Sequence, residues 1–142
     1  MKKLFVYITS FLLLIFCTSS LYSFSPNNTN ADPIKKIVRE MAKANIYEYS
    51  TTFKKETVLP EQMNRYILLK QMASPERLIS IIKKDRNGVV RLYAYMALVS
   101  SLKSVPADIL QLMNSDQTIV QTNHENTSGS ETVSTIARTF LY

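Results

Sequence analysis

Hydrophobic positions recur with a helical period in six stretches of the chain, separated by short polar links. In the first, Ile34, Ile37, Val38 and Met41 share one arc of a helical wheel, and Lys35, Lys36, Arg39 and Lys43 fall on the other. That pattern predicts an amphipathic helix with one face turned to a core. Asp32-Pro33 sets an N-cap residue before a proline at the first helical position. Leu59-Pro60-Glu61 opens a second helix that reaches about Ala73. Its apolar residues (Met63, Tyr66, Ile67, Leu68, Leu69 and Met72) surround the axis, which predicts deep burial. Ser74-Pro75-Glu76 starts a third, with Leu78, Ile79, Ile81 and Ile82 inside and Lys83-Lys84 suited to the C-terminal dipole. Ser104 and Pro106 introduce a helix with Ile109, Leu110, Leu112 and Met113 on its inner face. Ser130-Glu131 leads into a last one carrying Val133, Ile136, Ala137, Phe140 and Leu141.

Two stretches break the period. In "IYEYSTTFKKETV", residues 46–58, Tyr47, Tyr49, Thr51 and Phe53 alternate as in a strand, but the segment reads equally well as a loop. "NSDQTIVQTNHENTSGS" reads as a connector with a short extended piece at Thr118 to Thr122. The chain holds only 2 glycines, Gly88 and Gly129, and the pattern as a whole predicts an all-α domain of about six helices, with strand a minor element.

The densest pattern is "KKDRNGVVRLYAYMALVSS", residues 83–101. Val90, Ala94, Ala97 and Ser101 form a stripe of small side chains, while Leu92, Tyr95, Met96 and Val99 cover the far side. A helix apolar all round is a buried helix. At about 15 residues it is ~22 Å long, short of a ~30 Å bilayer core, so the expected burial is in protein. Asp85 or Asn87 can cap its first amides, and Gly88 suits a tight turn.

The spacing Asp85-x-Asn87-x-x-Val90-Arg91-x-x-Ala94-x-x-Ala97-Leu98 resembles the second helix of a HEAT or HEAT-like repeat, and "PERLISIIKK" before it resembles the first. The likeness is strongest over residues 75–102, and it extends to small exported bacterial proteins that carry one such repeat pair. It implies a short right-handed stack of antiparallel helix pairs, an α-α superhelix. It also implies an Arg91 that locks a turn by pairing with a carboxylate or carbonyl. Helix pairs of this kind bury their faces only against stacked neighbours. Some HEAT-like proteins are enzymes, notably DNA-alkylation glycosylases and bilin lyases, so the resemblance also admits a ligand-binding or lyase-type activity.

The 142 residues leave room for one domain only, and less once the N-terminus is counted, which has the three parts of an export signal. Lys2 and Lys3 precede the apolar run Leu4 to Phe16, and Thr18-Ser19-Ser20 supply small residues for cleavage. The run falls short of the about 20 residues that span a bilayer. The reading adopted is a signal at residues 1–23, a flexible linker at 24–31 and the repeat domain at 32–142. An uncleaved anchor is the alternative. The product is then periplasmic or secreted, and it meets the membrane only through its signal or a lipid. Cys17, the sole cysteine, could carry that lipid and make a structural envelope lipoprotein, although Phe16 stands where a lipoprotein signal has a small residue. If Cys17 leaves with the signal, thiolate catalysis, disulfides and zinc-thiolate sites leave with it.

Charge and chemistry narrow the function further. Lys2 and Lys3 supply two units of the net +6, leaving +4 spread along the rest. That is no basic stripe for nucleic acid, which an exported chain seldom meets. The single histidine, His124, lies in the connector without a nucleophile or orienting carboxylate nearby in sequence. The 11 carboxylates are scattered over helix starts and solvated faces. No Gly-rich phosphate loop or hydrolase motif occurs, so no catalytic, cofactor or metal residues are assigned. The expected function is a non-enzymatic module that binds another protein or an envelope component. Tyr47 and Tyr49 are its expected contact residues, because aromatic side chains are enriched at interfaces.

Overall fold

Helix α1 (Pro33–Ala44) starts at Asp32, whose Oδ1 accepts from the Ile34 amide at 3.0 Å while Pro33 fills the first turn. A computed structural model of the chain describes residues 32–49, 59–124 and 127–141, all within one compact unit. The expected signal and linker, and Cys17, lie outside those residues. Asn45 ends α1 in the left-handed region at φ 50°, and its N–H donates to the Met41 carbonyl at 3.0 Å. The chain then enters β1 (Ile46–Tyr49).

Four helices follow: α2 (Glu61–Met72), α3 (Pro75–Lys84), α4 (Gly88–Ser101) and α5 (Ala107–Ser115). Ser74 caps α3 by accepting from the Arg77 amide at 3.3 Å, and Asn87 caps α4 by accepting from Val90 at 3.1 Å. A hairpin of β2 (Ile119–His124) and β3 (Thr127–Thr132) runs into α6 (Val133–Arg138), whose cap is the Thr132 hydroxyl. A 3-10 turn, Thr139–Leu141, completes the described chain.

The expectation of an all-α domain needs correction: the protein is mainly helical but contains a three-stranded mixed sheet in the order β1-β2-β3. β1 lies parallel to β2, with Ile46 opposite Gln121, and β3 runs antiparallel to β2 from Ile119–Thr132 to His124–Thr127. The physical reason is the shortness of the strands. Four alternating residues at β1 cannot declare a strand, and the partner that stabilises them lies far along the chain. β3 reads "TSGSET" and has no apolar residue, so periodicity is silent about it. As an edge strand it needs only its backbone ladder. His124 therefore ends a strand rather than sitting in a connector.

α4 is the hub of the core. Val89, Val90, Leu92, Tyr93, Ala94, Tyr95, Ala97 and Leu98 are all buried, and α1, α2, α3, α6 and both β1 and β2 pack against the helix. Its apolar circumference is used on nearly every side. α2 differs from its expected deep burial. Met63, Leu69 and the polar Gln62 are buried, but Leu68 and Met72 are each 46% exposed. Apolar residues around a helix do not by themselves create neighbours on all sides. Gln62 latches α2 down: its Nε2 donates to the carbonyls of Ile46 at 2.9 Å and Met41 at 3.3 Å, and its Oε1 accepts from Arg65 at 2.9 Å. Among the described residues, no helix is long and apolar enough to cross a membrane.

Candidate functional site

The repeat-motif residues converge on the turn between α3 and α4 and on the core beneath it. Asp85 closes α3, and its Oδ1 accepts from the Asn87 amide at 2.8 Å. The Asn87 Nδ2 in turn donates to Asn45 Oδ1 at 2.8 Å, tying this turn to the end of α1. Val90, Ala94, Ala97 and Leu98 are wholly buried. Gly88 does not serve a tight turn as expected. It is the first residue of α4 and has no positive φ. What it provides is close approach: a Cβ there would meet Val120 Cγ1 at 2.8 Å and Thr118 and Val133 methyls at 3.0 Å.

Arg91 joins three elements. Its Nε and Nη2 bind Asp116 Oδ2 at 2.8 and 2.6 Å, its Nη1 donates to the Asp85 carbonyl at 3.0 Å, and Nη2 also reaches Thr118 Oγ1 at 2.8 Å. The side chains of Arg91 and Asp116 are 12% and 11% exposed. Burial pushes the Asp116 carboxyl up, but hydrogen bonds from Thr118 and the Arg91 guanidinium outweigh it and hold the group below its ordinary range. Arg91 and Asp116 line a cleft of about 390 Å³ together with Lys83 and Leu112. The guanidinium is already committed to Asp116, Thr118 and Asp85 there, and Lys83 is bound to Asp108 at 2.7 Å. That corner is a structural joint.

Tyr47 was expected on a contact surface. It is instead 4% exposed, with its ring 5.3 Å from Tyr93 and 6.4 Å from Phe140. Tyr66 and Tyr95 extend the cluster, Tyr66 lying 6.1 Å from Tyr93 and Tyr95 6.1 Å from Phe140. The alternation that exposes one face of a strand to solvent buries the other, and Tyr47 takes the inner face against α4. Tyr49 ends β1 opposite His124, and its side chain lies outside the described set.

A second concavity lies between α1 and α3. It has a volume of about 230 Å³, a floor of Val38 and Ile81, and a rim of Lys35, Arg77 and Lys84 with Ser80 and Asp85. Arg77 is fixed by Asp32 at 2.8 Å and Asp85 by the Asn87 amide. Among the described residues no acidic side chain forms an ion pair with Lys35 or Lys84, and both are exposed. The groove thus joins an apolar strip to a cationic rim. Sequence reasoning missed it because Lys35 reads as the solvated arc of an amphipathic helix and Lys84 as a dipole-matched end. Only the fold, which ties Asp32 at the start of α1 to Arg77 of α3, brings them to one groove. Among the described residues, no group of three or more His, Cys, Asp or Glu side chains is placed to hold a metal ion. The chain matches no family model, and no curated protein or solved structure matches it.

Proposed function

We propose that the chain is a non-enzymatic helical-repeat module, exported to the cell envelope, that binds another protein through the α1–α3 groove. The helices of this reading form a short HEAT-like stack with the small sheet set into it. The α3–α4 pair and the Arg91 joint to Asp116 and Asp85 support that part. The observation that carries the binding role is the groove, with Val38 and Ile81 as its floor and, on its rim beside Asp85, Lys35 and Lys84, neither of them in an ion pair among the described residues. Its occupant is an acidic segment of a partner protein with apolar side chains on one side. Apolar contact supplies the seat, and the cations steer the encounter and select its sign.

A photo-crosslinking residue at Ser80, on the groove, tests this in an envelope extract, with the same residue at exposed Gln111 as control. The expected result is a Ser80-specific product whose crosslinked peptide is acidic. Its yield falls several-fold in Lys35→Glu/Lys84→Glu and at high salt. A yield indifferent to charge reversal, or a basic crosslinked peptide, would sink the reading.

A further inference from the structure

The two edges of the sheet are treated differently by the rest of the molecule. At β1 the outward backbone groups are occupied. The Tyr93 hydroxyl accepts from the Glu48 amide at 2.9 Å and donates to the Glu48 carbonyl at 3.1 Å, and Gln62 takes the Ile46 carbonyl. At β3 nothing comparable lies alongside among the described residues. The Val133 amide donates to Thr118 O at 2.9 Å, which fixes the phase of the β2–β3 ladder. With alternation from that pair, Gly129 and Glu131 bond to β2, while the N–H and C=O groups of Ser128 and Ser130 point away from it. β3 is exposed from Thr127 to Glu131. Of the usual blocks to pairing it carries only one charged side chain, Glu131: it contains no lysine or proline, and its register with β2 is unbroken by a bulge.

We propose that β3 is a self-association edge, pairing antiparallel with β3 of a second copy about a two-fold axis through Gly129. The strand is self-complementary in that register. Ser128 of each copy meets Ser130 of the other, so the outward groups on both sides form hydrogen-bonded pairs. Gly129 meets Gly129 at the close-spaced position, where the absence of side chains lets the strands approach. Thr127 meets Glu131, so no like charges face each other. Any shift by one residue sets inward-bonded groups against outward ones and loses the ladder. The two sheets become one, and each copy keeps its α1–α3 groove. A strand pair of this size buries less than the ~1,200 Å² typical of stable complexes, so the dimer is weak and exchanging.

Sedimentation of the purified full chain over a concentration series, up to about millimolar to cover weak transient contacts, reads the association directly. The expected result is a reversible monomer–dimer equilibrium. Ser130→Pro removes an outward N–H without touching the ladder to β2, and leaves the protein monomeric with an unchanged circular dichroism spectrum. Should that variant fail to fold, the charge pair at position 127 decides. Thr127→Glu sets carboxylates opposite Glu131 of the other copy and weakens the dimer roughly three- to tenfold, and Thr127→Lys tightens it. A protein monomeric throughout the range overturns the proposal. So does a dimer indifferent to all three substitutions, which would place the contact elsewhere.

Discussion

Tyr93 and Glu48 exchange two hydrogen bonds through a single side-chain atom: the phenol oxygen accepts from the Glu48 N–H at 2.9 Å and donates to its C=O at 3.1 Å. A helix side chain thereby takes the place of a neighbouring strand, and β1 can end the sheet inside the protein without orphaned backbone groups. Burial pushes the Tyr93 hydroxyl well above its ordinary range, so it stays protonated and keeps its donor role. Tyr95, two residues on, is the opposite case. Its hydroxyl is buried with no hydrogen-bond partner among the described residues.

These two tyrosines predict opposite outcomes for the same chemical change. Tyr93→Phe leaves the Glu48 amide and carbonyl unpaired and lowers unfolding free energy by about 1–3 kcal/mol. Tyr95→Phe removes an unsatisfied buried hydroxyl and leaves stability unchanged or raises it by up to about 1 kcal/mol. Urea unfolding of the pair gives both numbers. Equal destabilisation by the two would contradict the hydrogen-bond assignments.

Arg91 ties the α3 terminus at Asp85 to Asp116 and Thr118 of the α5–β2 link with a planar fork, and a lysine cannot reproduce that geometry. Arg91→Ala is expected to cost about 3 kcal/mol, because Asp116 is left largely buried without its cation. Arg91→Lys should recover only part of it. Thermal unfolding of the three proteins is the check, and a lysine variant equal to wild type would show that charge alone holds the joint.

The same joint makes stability depend on acid. The Asp116 pKa is lower in the folded chain than in the unfolded one, so the folded state favours the carboxylate. Its contribution is therefore full above the unfolded value of about 3.9 and is lost as pH falls through the lower folded value. The wild type should lose stability from about pH 5 downward more steeply than Asp116→Asn, which has no proton to take up there. Parallel stability curves for the two below pH 5 would remove Asp116 as a source of the acid sensitivity.

Close approach at α4 predicts intolerance of added volume. Gly88→Ala drives a methyl toward Val120 Cγ1 at 2.8 Å, and Ala94→Leu enlarges a wholly buried member of the small-residue stripe. Each is expected to destabilise by about 1–3 kcal/mol through overpacking. A rise in melting temperature for Gly88→Ala, from its helix propensity alone, would mean that the hairpin moves aside without cost.

By itself the sequence determined the helices and most of their starts; Ser130-Glu131, read as leading into the last helix, lies in β3, and Thr132 caps α6 instead. Asp32-Pro33, Ser74-Pro75 and Asn87 are local signals, complete within a few residues, and each begins a helix in the folded chain. The unbroken apolar surface of α4 likewise identified it as buried, since no exposed arrangement of those side chains is tolerable in water. Tertiary structure alone decided the sheet, because the energy of a strand such as β3 resides in its partner's backbone and leaves no trace in its own side chains. It decided which tyrosine is core, putting Tyr47 against α4 where alternation allows either face. It also turned α2 so that Leu68 and Met72 reach solvent, and set Lys35 across from Lys84. Such relationships belong to pairs of residues far apart in the chain, and no local pattern records a distance between them.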